Sequence, residues 1–427
     1  MPVRHLFTTP VEYLRERSKD HASALQTTKG DKKMFKKSLI AVGVFALTAS
    51  LAQAANVELY GRVDTGLMYS DVQVEDGQKV NTETKTFALK SGANSGPRLG
   101  LRGTEELGNG LKVSFKLENG FYVDDGSFKT GGRLFDREAS LSVHGNFGTL
   151  SMGRMGGVGS SAGTYDLVFG IADVYDGGDN GICGLMMSSR YDNTLTYVTP
   201  KFAGLTGYVQ YSFKGDSKQV YKETDKTEHA TREGSAATDR YASLALAGEF
   251  GALNTILTYE WLNYASNSGV DVATDFQKHE DGKLINLGMN YDLGFAKVYG
   301  IAQHFKNMKV SAWGGVGSDY TKALTKLTDD GMNGLGLHVG TYFDALAGNI
   351  KVGAYFVDGE IENVVHAGTK QDLDAKYIGL AARYVYPLSK RTELYLGGGV
   401  AKGEIEGKKH TLEQKTFQAY TGLTHKF

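Results

Sequence analysis

From Val57 onward the chain alternates apolar and polar residues with a period of two. In residues 57–64 one face carries Val57, Leu59 and Val63, and the other Glu58, Arg62 and Asp64. In 111–118, Leu111, Val113, Phe115 and Leu117 alternate with Lys112, Ser114, Lys116 and Glu118. The same form returns less cleanly in 244–257, 284–289, 298–301, 335–339, 352–356, 377–386 and 394–400. Such alternation predicts strands with one apolar and one polar face, and no stretch sustains the i, i+3, i+4, i+7 spacing of an amphipathic helix.

The connections carry more information than any single strand. Short links are read at 106–109, 145–147, 200–203, 250–252, 292–294, 345–349 and 387–390. Between them lie longer polar links at 71–83, 124–131, 156–187, 215–238, 265–282, 308–331, 359–372 and 404–411. Short and long links alternate throughout, which predicts an all-β fold of sixteen antiparallel strands with turns at one rim and loops at the other. The third long link, 156–187, is rich in Gly and Asp and too long for an idle connection inside a compact domain. It is expected to fold back into the mouth of the barrel and narrow it.

The direction in which each face points decides the setting. Sixteen strands enclose a lumen too wide for side chains to fill. Charges on the inward parity, Arg62, Arg98, Lys112, Lys116 and Glu118, then require water inside, and the apolar face must turn outward to lipid. Aromatic residues near strand ends (Phe121, Tyr122, Phe202, Tyr208, Tyr211, Phe213, Tyr384 and Tyr386) fit interfacial girdles. The expected architecture is therefore a transmembrane β-barrel over 55–427.

Composition sharpens this picture. The chain has 427 residues with Gly 56, Tyr 24 and only Pro 5, a balance suited to glycine turns and uninterrupted ladders. A single cysteine, Cys183, excludes an intrachain disulfide framework and a cysteine-based zinc site. The ten histidines show no metal spacing, and 173–179 lacks the carboxylate spacing and closing Glu of a calcium loop, so no metal or cofactor is expected. Residues 34–54 read as a signal peptide: Lys36 and Lys37, an apolar run over 39–47, and Ala52-Gln53-Ala54 as the cleavage site. Residues 1–33, polar and mixed in charge, are expected to be a non-native upstream extension. Cleavage after Ala54 removes nine of the 47 basic and four of the 48 acidic residues, leaving a net charge of −6. The whole chain carries only −1, and nothing in it suggests nucleic acid as a partner.

Several stretches together resemble the sixteen-stranded general porins of Gram-negative outer membranes, in their beta-proteobacterial form. They are VELYGRVD at 57–64, PRLGLRGTEELGNGL at 97–111, FDREA at 135–139, FGTLSMGR at 147–154, RYDNT at 190–194 and the closing GLTHKF at 422–427. The resemblance implies a homotrimer surrounded by outer-membrane lipid, reached after export to the periplasm. It implies that Phe427 carries the signal read by the outer-membrane assembly machinery. It also implies a constriction with basic residues on the wall, Arg62, Arg98, Arg137 and Arg190, opposite carboxylates on the third loop. Asp166, Asp173, Asp176 and Asp179 are the candidates there, with Asp173 and Asp176 foremost. The loop departs from many members in lacking a PEFGG-like run.

The physics of such a site needs no bond to be made or broken. Opposed rows of fixed charge set up a transverse field that aligns hydrated polar solutes and biases cations against anions. The expected function is passive diffusion of small hydrophilic solutes and ions. A substrate-selective channel of the same build is the alternative, separated from it by saturable solute block. An outer-membrane enzyme would need a Ser/His/Asn or Asp/His set at a rim, and a plugged transporter a separate plug domain; neither is seen.

Overall fold

Whether the two faces of each strand meet lipid or water is visible in their exposure. The computed structural model describes residues 56–427 except 78–79, 219, 223–227, 231, 236–237, 266–279, 311–312, 314–330, 367–368 and 409–410. The expected leader, 34–54, and the upstream segment, 1–33, lie outside the described residues. On the outer surface Leu257, Leu287, Leu337, Val339, Leu380 and Leu396 are between 48% and 69% exposed. Their inward neighbours Leu284 and Asn286 are 0% exposed. The apolar face therefore points away from the barrel axis, as a lipid-facing band requires.

The sheet begins with β1 (Asn56–Asp76), β2 (Val80–Ser91), β3 (Arg98–Gly108), β4 (Leu111–Gly120), β5 (Glu138–Gly145) and β6 (Gly148–Gly156). After the long loop come β7 (Arg190–Val198), β8 (Leu205–Ser212) and a separate hairpin of β9 (Val220–Lys222) and β10 (Glu228–Ala230). It continues with β11 (Arg240–Phe250), β12 (Leu253–Asn263), β13 (Gly282–Asp292), β14 (Lys297–Met308) and β15 (Gly331–Ala345). The last strands are β16 (Gly348–His366), β17 (Thr369–Pro387), β18 (Thr392–Glu406) and β19 (Thr411–Lys426). Each pairs antiparallel with its neighbour, β8 continues to β11, and β19 returns to β1 through fifteen register pairs from Arg62↔Lys426 to Asp76↔Leu412. Closure leaves no sheet edge at membrane depth, where an unpaired backbone group costs several kcal/mol.

The strand count rests on one interruption. Both β2 and β3 pair with β1, so they are two halves of one barrel strand and the barrel has sixteen strands, as the connections predict. Pro97, which lacks an N–H, and Gly92, at φ +76°, end the ladder between the halves. The intervening segment 92–97 turns into the lumen, where the Asp64 carboxylate accepts the backbone N–H of Ser95 at 3.1 Å and of Asn94 at 3.4 Å. The break has no counterpart in the alternation pattern and is a finding of the structure.

Three expected loops are mostly ladder. In 71–83, 359–372 and 404–411 the strands run on to the pairs Asp76↔Val80, His366↔Thr369 and Glu406↔Thr411. Beyond the membrane both faces of a strand meet water, so the alternation fades while the hydrogen bonds continue. Beside the short turns, Phe147, Phe202, Phe250 and Phe295 are exposed, and the Tyr197 and Tyr384 hydroxyls donate to the turn carbonyls of Phe147 and Leu346. This is the arrangement of an interfacial girdle. Tyr208 departs from it: it points inward, edge-on to Tyr165 at 6.4 Å between centroids.

Candidate functional site

The loop 157–189 seats inside the barrel because its own sequence is amphipathic in space rather than in period. Val158, Val168, Phe169, Ala172, Ile182, Leu185 and Met186 are all nearly fully buried. They belong to one cluster with the inward-facing Ile256, Leu284, Ile301, Phe305, Tyr355, Val357 and Tyr377 of the wall. A single helical turn, α1 (Val168–Ala172), lies against β12, β13 and β14. Here the lumen wall is apolar, contrary to the expected polar lining, because the loop rather than water covers it. Glycines make the bed: a methyl on Gly288 would stand 2.6 Å from the Ala172 Cβ, and one on Gly336 2.7 Å from Leu185.

Polar wall groups then satisfy the loop's backbone. Gln303 accepts the Met186 N–H and donates to the Met186 carbonyl, both at 2.8 Å, and Asn290 donates to the Ile171 carbonyl at 2.6 Å. Tyr241 accepts the Val158 N–H at 3.1 Å while donating to the fully buried Glu260 at 2.6 Å. Cys183 is enclosed in the same packing, and burial pushes its thiol up, away from reactivity.

The four candidate loop carboxylates divide into two kinds. Asp173 and Asp179 are 4% and 0% exposed and do not stand in open water, unlike the expectation. Asp173 accepts the N–H groups of Tyr175, Gly177 and Gly178 at 2.9 to 3.1 Å and the Tyr355 hydroxyl at 2.8 Å. Asp179 pairs with Arg383 and accepts the Tyr420 hydroxyl. Asp176, in contrast, is exposed, at φ +62°. Asp166 is half-buried beside it and accepts the Gly170 N–H at 3.0 Å.

Burial, followed by its hydrogen bond and repulsion with Asp176, pushes the Asp166 carboxyl up to about 10. At neutral pH Asp166 therefore keeps its proton. A folded-state value above the ordinary carboxylate range means this pair favours the seated loop at low pH and loses that contribution as pH rises toward 10. Asp166→Asn is expected to leave the reversal potential in a salt gradient unchanged at pH 7. Asp176→Asn removes the charge and moves it toward anions, by roughly threefold in permeability ratio for one charge at the passage. Equal shifts from both variants would contradict a protonated Asp166.

The basic candidates come together from four parts of the chain. Arg62 donates to the Ser95 hydroxyl, and Arg98 donates to the Gly96 carbonyl at 3.0 Å and lies 3.9 Å from Glu118. Arg137, buried one residue before β5, pairs with Glu118 at 2.6 Å. Arg190 opens β7, and its Nε has no hydrogen-bond partner among the described residues. Arg98 is within repulsive range of Arg62 and Arg137, and Arg190 of Arg137 and Arg154. Like charges packed this way persist where water and nearby carboxylates solvate them.

A cavity of about 320 Å³ joins the two sides, bordered by Arg62, Lys351 and Lys426 as well as Asp176 and Glu393. Sequence reading missed Lys351, Arg383 and Glu260, and placed Glu118 only as an inward charge. Their common signal is a charge at inward parity within a strand, as Arg383 stands in the otherwise uncharged run 377–386.

A closed barrel with an outward apolar band and a charged, water-accessible passage beside an infolded loop defines an outer-membrane channel. Residues 41–405 match the family model of the Gram-negative porins, and the chain belongs to that family. An outer membrane porin protein of Bordetella pertussis is 33% identical over 92% of this chain and 100% of its own. Outer membrane porin protein 32 of Delftia acidovorans is 30% identical over 84% of this chain and 88% of its own. Among solved structures, the anion-selective porin from Comamonas acidovorans superposes with a TM-score of 0.58 over 87% of this chain and 100% of that chain, at 23% identity. The protein is thus a porin of the Gram-negative outer membrane, a passive channel for small hydrophilic solutes and ions.

Proposed function

We propose that this porin is a general diffusion channel whose narrowest passage favours anions. The observation that carries this reading is the charge balance around the cavity. Arg62, Lys351 and Lys426 border it, with Arg98, Arg137 and Arg190 alongside, against Asp176, Glu393 and the Glu118 paired with Arg137, because Asp173 and Asp179 are consumed by the wall and Asp166 keeps its proton. The selectivity named for the Comamonas acidovorans porin agrees with it. Arg62, Arg98, Arg137 and Arg190 form the basic side of the constriction, Asp176 with Asp166 the acidic side, and Asp173 and Asp179 hold the loop in place. Purified protein in a planar bilayer is expected to give a reversal potential on the anion side, with no saturating block by neutral sugars. A cation-side potential would overturn the preference, and saturable block would favour the substrate-selective alternative.

The remaining assignments rest on the family resemblance together with local features. Residues 34–54 direct export and are removed. Phe427 is 44% exposed at the end of β19, with its backbone paired to Gly61 at 3.0 and 3.1 Å, and serves the assembly machinery. The functional unit is a homotrimer in outer-membrane lipid.

A further inference from the structure

Two elements narrow the lumen, the tip of the long loop and the infolded break 92–97, and both end on one wall side chain. Arg383 in β17 is 4% exposed. Its Nε donates to the Tyr420 hydroxyl at 3.0 Å. One terminal nitrogen donates to the Asn94 side-chain oxygen at 2.8 Å and to the Asn94 carbonyl at 3.2 Å. The other donates to the Ala93 carbonyl at 3.4 Å and pairs with Asp179 at the loop tip. The guanidinium lies over the Tyr175 ring of the loop at 5.0 Å and over Tyr420 at 5.7 Å.

The two elements also touch each other there. Asn180 donates to the Ala93 carbonyl at 2.9 Å, and Gln418 to the Asp179 carbonyl at 2.9 Å. A buried ion pair is weak evidence for stability, because desolvation offsets much of the attraction. What it supplies here is geometry. A planar fork with five donors can hold a carboxylate, two carbonyls and a hydroxyl in fixed directions at once, which a lysine ammonium cannot.

We infer that Arg383 is a positioning residue that sets the width of the passage by clamping the loop tip and the 92–97 segment to one point of the wall. This deepens the proposed function and rests on reading this region as the conductance-limiting passage. Arg383 also borders the cavity, so a direct role as a pore charge is the competing explanation.

Two variants separate these roles. Arg383→Met with Asp179→Asn removes the pair without changing net charge, and Arg383→Lys keeps the charge but loses the fork. Folding is checked for both by heat-modifiable mobility on gels. Clamping predicts that both variants raise single-channel conductance, by about 1.3-fold or more, and add current substates, while the reversal potential stays near wild type. A pore-charge role predicts wild-type behaviour for Arg383→Lys, which would overturn the inference, as would unchanged conductance in the double variant. If the double variant fails to assemble, Arg383→Lys decides alone by the same readout. Failure of the underlying reading looks different, because replacement of Arg62 and Arg98 would then leave the reversal potential unmoved as well.

Discussion

Replacing Arg62 and Arg98 together with Ser will lower the anion-to-cation permeability ratio about tenfold. A monovalent ion passing ~6 Å from one guanidinium in water gains or loses about 0.7 kcal/mol. Two such charges act with opposite sign on anion and cation, giving about 2.8 kcal/mol in the ratio before screening. A Debye length of about 10 Å at 0.1 M salt roughly halves this, and about 1.4 kcal/mol is a factor of ten. These two are chosen because their bonds go to Ser95 and the Gly96 carbonyl rather than closely to a buried carboxylate. Arg137 is less suitable: it pairs with Glu118 at 2.6 Å, and its loss would strand a buried charge at a cost of about 3–5 kcal/mol. The measurement is the reversal potential in a tenfold salt gradient, repeated at high ionic strength where the effect must shrink. An unmoved potential at low salt would remove both residues from the passage.

Deleting residues 170–180 will about double single-channel conductance, since the lumen of a sixteen-stranded barrel is water-filled once nothing is folded into it. The segment carries Asp173, Asp176 and Asp179, and it includes Val174 and Tyr175 from the packed inner face. Val168 and Phe169 before it, with Leu185 and Met186 after it, keep the stem seated on the wall. The same deletion removes the exposed acid of the passage, so the ion preference must move toward anions while the conductance rises. A doubled conductance without that move would place Asp176 away from the ion path; no rise would place the loop tip outside it.

Part of the geometry of the candidate site was legible in the sequence. Arg62, Arg98, Arg137 and Arg190 converge, and the loop predicted over 156–187 lies inside the barrel as residues 157–189. The roles of the loop carboxylates were not legible. Asp173 and Asp176 look alike in sequence, yet a three-residue step turns one into a nest of N–H groups and leaves the other exposed. That difference depends on the positive φ at Asp176, Gly177 and Gly178, which composition alone does not assign. The glycines were read as turn formers, whereas Gly288 and Gly336 serve close approach of the loop to the wall.

The sequence by itself determined the barrel: a period of two fixes which side chains share a face, and alternating short and long links fix the order of the strands. Hydrophobicity then sets the direction of each face, because lipid outside and water inside leave only one arrangement that satisfies both. Only the tertiary structure decided where that rule is broken. The inward faces of β12 to β18 are partly apolar because a distant loop covers them, and Arg383 is buried because Asp179 and the 92–97 segment come to it from far along the chain. Contacts between residues some 200 or more positions apart leave no periodic trace, so they are readable only once the barrel has closed and brought them face to face.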